Sequence, residues 1–238
     1  MINGKKVLSV VTARGGSKGV PRKNERHLKG IPLVNWSVNQ SLKSKYIDFT
    51  TVSSNCISIR MLTEYAKTDK QYAFIDRPEE FSTDTSPNEE ALIHAYYHVK
   101  DEFDFDAEII VNLQPTSPIR NDALIDKCLE KLDNHDSLLT VKKCTPFYLY
   151  KEGDEFKAFE RSKLINRPMR QELEDDDFFY FDCGNLYVMT REVLLESGSR
   201  LGPNLTAFIV DDKQAVQIDT EIDFQLMDFL IRDIGNNI

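Results

Sequence analysis

The 238-residue sequence predicts an α/β fold with a largely parallel β-sheet that has helices on both faces. Short apolar runs of strand length, such as residues 7–13 and 108–113, alternate with longer amphipathic segments. This alternation is typical of parallel sheets whose two faces are both covered. Ligands of such sheets bind in the loops after the carboxyl ends of the strands. The loops after Ala13 and Leu113 are therefore the first places to search for function.

The predicted elements follow one another in a regular order along the chain. The predicted strands are residues 7–13, 49–54, 72–75, 108–113, 137–141, 184–189 and 207–210. The predicted helices are residues 32–42, 57–67, 87–99, 123–132, 191–196 and 220–234. Ser86 to Glu89 reads as a capping box with Pro87 at the first helical position. We expect one domain over residues 1–238.

A charged and aromatic segment interrupts this order between residues 145 and 180. Its periodicity fades, which leaves a disordered linker as one interpretation. Its many aromatic side chains favour another interpretation, an arm that packs on a second subunit. The aromatic residues are Phe147, Tyr148, Tyr150, Phe156 and Phe159.

The composition indicates which classes of partner the protein binds and in which compartment it lies. The net charge of −9 predicts neither nucleic acid nor an anionic membrane as a partner. No stretch approaches the roughly 20 apolar residues of a membrane span. The four cysteines are scattered without a C-x-x-C pair, so a reduced cytoplasmic location is expected.

The loop after the first strand, TARGGSKGVPRKN, combines glycines with basic residues. Its glycines permit backbone conformations that point successive N–H groups at one anion. Neither the P-loop spacing nor the dinucleotide fingerprint is present. A solvated basic turn is the alternative, but the position at a strand's carboxyl end favours a triphosphate site. The basic residues are Arg14, Lys18, Arg22 and Lys23.

Six motifs resemble one family across nearly the whole chain. They are ARGGSKGVPRKN (13–24), RPEEFSTDT (77–85), LQPTSPIR (113–120), RQ (170–171), GNLY (184–187) and IDTEID (218–223). Together they are similar to the acylneuraminate cytidylyltransferases, or CMP-sialic acid synthetases, and to relatives that activate legionaminic and pseudaminic acids. The resemblance implies a Rossmann-like, mixed and mostly parallel sheet of the nucleotide-diphospho-sugar transferase type. It also implies a homodimer, CTP and a nonulosonic acid as substrates, and Mg²⁺ as cofactor.

The resemblance further implies roles for individual residues. Arg77 would contact the cytosine ring, and Asn88 stands where one branch has a base-contacting serine, although a helix-start role for Asn88 is equally open. Gln114 carries a donor and an acceptor suited to sugar hydroxyls or a carboxylate. The full nucleotide set is Arg14, Gly15, Gly16, Ser17, Lys18, Lys23, Asn24, Arg77 and Asn88, and the sugar set is Gln114, Arg170, Gln171 and Tyr187.

Asp219 is the candidate ligand for Mg²⁺, a cation that prefers carboxylate and phosphate oxygens. Many relatives have a second aspartate where this chain has Gln217. Either Asp219 acts alone with the triphosphate, or Gln217 contributes a weaker neutral oxygen. Arg170 has its own alternative, an ion pair with the acidic run at residues 172–177.

The reaction implied is attack by the anomeric hydroxyl of the sugar acid on the α-phosphorus of CTP, with Arg14, Lys18 and Asp219 as the catalytic residues. Positioning and charge stabilisation would dominate such a transfer. Two alternatives stay open. One is an enzyme of the same fold with another sugar acid or nucleotide, and the other is a non-catalytic CTP-binding relative.

Overall fold

A computed structural model describes residues 1–64, 70–159 and 162–234. The strands are β1 Val7–Thr12, β2 His27–Leu28, β3 Ile31–Pro32, β4 Phe49–Ser54, β5 Gln71–Asp76, β6 Ile109–Leu113, β7 Ser137–Cys144, β8 Leu149–Glu152, β9 Glu155–Ala158, β10 Phe179–Thr190 and β11 Leu205–Ile209. The α-helices are α1 Leu33–Lys43, α2 Ile57–Thr63, α3 Asn88–Phe103, α4 Asp122–Leu132, α5 Arg191–Ser197 and α6 Glu221–Ile234. The predicted continuation of α2 to residue 67 lies outside the described residues.

The main sheet has seven strands within the described ranges, in the order β11-β7-β10-β6-β1-β4-β5. β1 is parallel to β4 and β6, and β5 and β11 are parallel to their neighbours. β10 is antiparallel to both β6 and β7. The connection from β7 to β10 contains a hairpin and short turns rather than a helical crossover, which is what an antiparallel neighbour allows. The sheet is mixed and mostly parallel.

Alternate side chains of the strands pack on two helical layers. Val7 and Val11 of β1 join Ile125 of α4 in the core on one face. Leu8 of the same strand joins Leu92 of α3 on the other face. The two-residue period of a buried strand therefore serves both layers, and helices cover both faces as predicted.

The start of α3 differs from the predicted capping box. The helix begins at Asn88, Pro87 stands at the N-cap position, and no side chain caps the helix there. Ser86 Oγ instead donates to the carbonyl of Glu80 at 2.7 Å. The capping-box prediction is wrong because the Ser86 side chain closes the preceding turn rather than the helix.

The segment at residues 145–180 contains the β8–β9 hairpin, two short 3₁₀ turns and the first part of β10. Tyr148 and Phe179 pack edge to face with ring centroids 5.7 Å apart. Phe156 and Ile165 remain 68% and 84% exposed. The described part of this segment is thus folded, with apolar side chains left on its surface. In the described ranges, no helix is both long and apolar enough to cross a bilayer.

Candidate active site

A cavity of about 410 Å³ lies where the loops after β1, β5 and β6 meet. Parallel strands bring these loops to one edge of the sheet because their carboxyl ends point the same way. Nine of the predicted residues line this cavity within the described chain: Arg14, Ser17, Lys18, Lys23, Asn24, Arg77, Asn88, Gln114 and Asp219. Residues that are distant in sequence are thereby brought to one surface.

The glycine loop after β1 packs against the segment before α6. A Cβ atom on Gly19 would lie 2.1 Å from the carbonyl oxygen of Asp219, so only glycine fits this approach. Gly16 has φ +69°, a conformation that side chains disfavour. The Gly15 N–H donates to Asn55 Oδ1 at 3.0 Å. Gly15 and Gly16 line an adjoining cavity that also contains Arg14.

Lys23 and Asn24 form hydrogen bonds that hold the glycine loop and the segment before α6 in place. Lys23 Nζ donates to the Ile218 carbonyl at 2.6 Å and lies 3.6 Å from Asp219 Oδ1. Burial lowers the pKa of Lys23, although the nearby Asp219 opposes that shift. Asn24 Nδ2 donates to the Arg14 carbonyl at 2.9 Å. Both residues brace the loop backbone as well as lining the cavity.

The two cations at the mouth of the loop share one carboxylate. Arg14 Nη1 donates to Asp84 Oδ1 at 2.8 Å and to the Thr83 carbonyl at 3.0 Å. Lys18 forms an ion pair with the other oxygen of Asp84. Hydrogen bonds from Lys18 and Arg14 lower the pKa of Asp84, so its carboxylate is charged at neutral pH. Asp84 is not among the residues predicted for the site, and its only signal in the sequence is its place inside the RPEEFSTDT motif.

Arg77 and Asn88 form another part of the cavity wall. Arg77 is 7% exposed, and its Nη2 donates to the Ser53 carbonyl at 2.6 Å. Its buried Nε has no hydrogen-bond partner among the described residues. Burial, reinforced by Arg14, lowers the pKa of Arg77 to about 10, so the side chain remains a cation at neutral pH. Asn88 Nδ2 donates to Asn112 Oδ1 at 2.8 Å.

Gln114 leads from the cavity to a second cluster. With its amide oriented to satisfy both groups, Gln114 donates to the Gly184 carbonyl and accepts from Arg200 Nη1, each at 3.2 Å. The Arg200 guanidinium lies 4.2 Å from the centroid of the Tyr187 ring and donates to Glu89 at 2.6 Å. Tyr187 is buried and donates to Asp182 at 2.6 Å. Arg200 was also missed, since no motif of the sequence contains it.

Arg120 supports this loop from below. Its side chain is almost completely buried and donates to Gln40 Oε1 at 3.0 Å and to the Gln114 carbonyl at 3.1 Å. It also donates to Ser37 and to the carbonyl of Asn185. Burial lowers the pKa of Arg120 to about 9. Arg120 therefore joins β10, α1 and the Gln114 loop through one guanidinium group.

Gln217 lies outside the cavity in this structure. Its Nε2 donates to the Cys183 carbonyl, and a Cβ atom on Gly184 would lie 2.4 Å from Nε2. The amide is engaged in a contact between β10 and the segment before α6. This geometry favours the interpretation in which Asp219 acts without Gln217.

Arg170 and Gln171 lie in an exposed 3₁₀ turn, Arg170–Glu172, and do not line the cavity of their own chain. Gln171 Nε2 approaches Met169 Sδ at 3.2 Å. Within the described residues, no carboxylate pairs with Arg170, so the predicted alternative of an ion pair with the acidic run is not formed. The acidic run is instead paired with Lys143 and Lys163.

Comparison with known proteins identifies the family. Residues 8–177 match the family described as cytidylyltransferase. The chain belongs to the cytidylyltransferase family. It is therefore a nucleotidyltransferase, and the cavity at the end of β1 is the candidate active site of a cytidylyltransferase.

Three similar proteins each match more than nine-tenths of this chain. The cytidylyltransferase is 27% identical to the post-translational flagellin modification protein B of Campylobacter coli, over 95% of each chain. It is 26% identical to the CMP-N,N'-diacetyllegionaminic acid synthase of Campylobacter jejuni, over 94% of each chain. It is 25% identical to the N-acylneuraminate cytidylyltransferase of Escherichia coli, matching 93% of this chain and 51% of that protein.

The fold is shared with a solved structure of CMP:2-keto-3-deoxy-manno-octonic acid synthetase complexed with CTP. The TM-score is 0.66 at 16% identity, covering 96% of this chain and 99% of that one. At this identity the likeness concerns the fold alone. It confirms the Rossmann-like, mixed-sheet architecture that the sequence motifs implied.

Proposed function

We propose that this cytidylyltransferase transfers CMP from CTP to the anomeric hydroxyl of a nonulosonic acid, releasing pyrophosphate. The observation that carries the proposal is the meeting of a cationic glycine loop, a buried arginine, Gln114 and Asp219 around one cavity. The names of the relatives, which include a CMP-N,N'-diacetyllegionaminic acid synthase and an N-acylneuraminate cytidylyltransferase, support this class of sugar.

In this proposal the glycine loop binds the triphosphate. Arg14 and Lys18 stand at its mouth and would stabilise the charge that develops on the leaving pyrophosphate. The backbone of residues 15–17 offers N–H groups to the same oxygens. Arg77 and Asn88 would bind the base. Lys23 and Asn24 would keep the loop in place.

Mg²⁺ is the proposed cofactor, and the residues present fit it. Asp219 lines the cavity with a side chain that is 69% exposed, so its carboxylate is available to a cation held jointly with phosphate oxygens. The described residues contain no cluster of three or more side chains that could hold a metal alone. When bound, the cation would neutralise phosphate charge. Asp219 would orient it against the triphosphate.

The sugar half of the proposal concerns Gln114 and the cluster behind it. Gln114 would contact the sugar acid, with Tyr187 and Arg200 holding its surroundings. Arg170 and Gln171 lie on the exposed segment at residues 145–180, away from the cavity of their own chain. We propose that this segment is the arm of a homodimer and that these two side chains serve the partner's sugar site. An arginine suits the sugar carboxylate.

We also propose a cytoplasmic location, because the four cysteines are free thiols and CTP is a cytoplasmic nucleotide.

A pyrophosphate-release assay tests the proposed function. The assay compares CTP with UTP, GTP and ATP, each with N-acetylneuraminic, legionaminic and pseudaminic acids. We expect turnover with CTP and one of these acids. Binding of CTP without pyrophosphate release from any acid would favour a non-catalytic relative instead.

A substitution at Asp219 tests the proposed role of this residue as a Mg²⁺ ligand. Asp219→Ala should lose magnesium-dependent turnover, whereas Asp101→Ala, an exposed change on α3 outside the cavity, should retain it. Full magnesium-dependent activity in Asp219→Ala would refute the assignment.

A further inference from the structure

We propose that Asn112, a residue inside the sheet, determines the preference for cytidine over uridine nucleotides by fixing the orientation of the Asn88 amide. The proposal deepens the nucleotide half of the proposed function and rests on it. Asn112 is a positioning residue here, since it acts through Asn88 rather than on the nucleotide.

The surroundings of Asn112 allow only one orientation of its amide. Asn112 is fully buried in β6, and its Nδ2 lies 3.3 Å from the Val10 carbonyl oxygen and 3.4 Å from Thr12 Oγ1. A carbonyl oxygen can only accept a hydrogen bond, so the NH₂ group must face Val10. The Oδ1 atom of Asn112 therefore points to the other side, where it can only accept.

This acceptor fixes the neighbouring amide in turn. Asn88 Nδ2 donates to Asn112 Oδ1 at 2.8 Å, the shortest contact of the three. The Asn88 side chain is half-buried and lines the cavity. One N–H of the Asn88 amide is donated to Asn112, so the amide cannot turn over, and its Oδ1 can act toward a ligand only as an acceptor.

Arg77 lines the same cavity and presents the opposite polarity. A guanidinium group can only donate, and Arg77 has a buried Nε without a partner. Together, Arg77 and Asn88 offer donors and one acceptor. The pairing edge of cytosine has two acceptors, O2 and N3, and one donor, the amino group at N4. Uracil reverses the last two, since it has N–H at position 3 and a carbonyl at position 4.

The hydrogen-bond pattern of the cavity wall therefore matches cytosine and mismatches uracil. An Asn88 amide that was free to rotate could accept from the amino group of cytosine in one orientation. In the other orientation its NH₂ group could donate to the carbonyl of uracil, and the two bases would bind equally well. Asn112 prevents this rotation. A buried polar mismatch of this kind is worth about 10- to 100-fold in affinity.

The test measures dissociation constants for CTP and UTP by calorimetry, without a sugar acid, in the full-length protein. The decisive variant is Asn112→Leu, which has the same branched shape but neither donor nor acceptor. We expect its preference for CTP over UTP to fall by about tenfold or more. A preference within twofold of the parent protein would overturn the proposal.

Two further variants separate orientation from damage to the sheet. In Asn112→Asp, a protonated acid can donate to Val10 and still accept from Asn88, so the CTP preference should persist. Loss of preference equal to that of Asn112→Leu would contradict the mechanism. Thr51→Val is the matched control, because Thr51 is buried in β4 and its hydroxyl has no hydrogen-bond partner among the described residues. Its preference should match the parent protein.

Because the test measures nucleotide binding without a sugar acid, its outcome is independent of whether the proposed reaction occurs. A parent protein that prefers CTP but turns over no nonulosonic acid would contradict the proposed reaction and leave the inference to be decided by the Asn112 variants. A parent protein that binds UTP as tightly as CTP would overturn the inference even if turnover occurs.

Discussion

The backbone at Gly19 touches the backbone at Asp219, since a Cβ atom on Gly19 would lie 2.1 Å from the Asp219 carbonyl oxygen. The glycine loop after β1 and the proposed metal-binding aspartate are therefore held in one arrangement by main-chain contact. Lys23 strengthens the contact by bonding to the Ile218 carbonyl. The phosphate and metal halves of the proposed site depend on each other through this contact.

Gly19→Ala should separate the loop from Asp219 and lower kcat/KM for CTP by about 100-fold, because small displacements of reacting groups are costly. The protein should remain folded by circular dichroism. Gly153→Ala is the control: Gly153 has φ +61° in the β8–β9 turn, where an added Cβ meets no atom within 4 Å. It should lose roughly 1 kcal/mol of stability and no activity. Equal activity losses in both variants would contradict the contact's importance.

Asp84 forms ion pairs with Arg14 and Lys18, and we expect it to compete for these cations with the triphosphate of the proposed function. Asp84→Asn should therefore tighten the binding of pyrophosphate about two- to fivefold, the range expected for exposed ion pairs. The effect should shrink as salt is added. Calorimetric titration with pyrophosphate at two salt concentrations measures both.

Asp76→Asn is the control for the Asp84 variant, because Asp76 is the last residue of β5 and pairs with Arg60 instead. It should leave pyrophosphate affinity unchanged. Weaker rather than tighter binding in Asp84→Asn would mean that Asp84 positions the two cations for the ligand instead of competing with it.

Arg120→Met should lower the free energy of unfolding by roughly 3 kcal/mol, because it leaves the buried Asn185 carbonyl and the partly buried Gln114 carbonyl without their charged donor. Urea denaturation of the two proteins measures the difference. Lys143→Met removes a cation that forms a surface ion pair with Asp175, and it should change the free energy of unfolding much less. A loss for Arg120→Met as small as this control would show that the loop does not need the guanidinium.

Arg200→Ala should raise KM for the sugar acid about tenfold and leave KM for CTP unchanged, because Arg200 holds the Gln114 amide and covers the Tyr187 ring. Steady-state kinetics with each substrate varied in turn gives both constants. Arg191→Ala is the matched control, since Arg191 pairs with Asp106 and Glu192 away from Gln114. If KM for CTP rises by the same factor, the role of Arg200 is not specific to the sugar acid.

The order of strands and helices could be predicted because each element depends on a local pattern. β1 and β6 are mostly apolar runs of strand length, and the helices between the strands have amphipathic spacing. The place of the glycine loop at the cavity could be predicted for the same reason, since its glycines and cations are adjacent in sequence and directly follow β1. The predicted capping box at the start of α3 is wrong because the Ser86 hydroxyl has two possible partners, and it bonds to the preceding turn rather than to the helix.

The sequence by itself determined the α/β order, the family motifs and the concentration of positive charge after β1. Only the tertiary structure decided that β10 runs antiparallel between β6 and β7, that Asp84 occupies the cations, and that Gln217 bonds to Cys183. It also decided which way the Asn88 amide faces. The physical reason is that periodicity and turn chemistry act between neighbouring residues, whereas each of these outcomes depends on contacts between segments far apart in the chain.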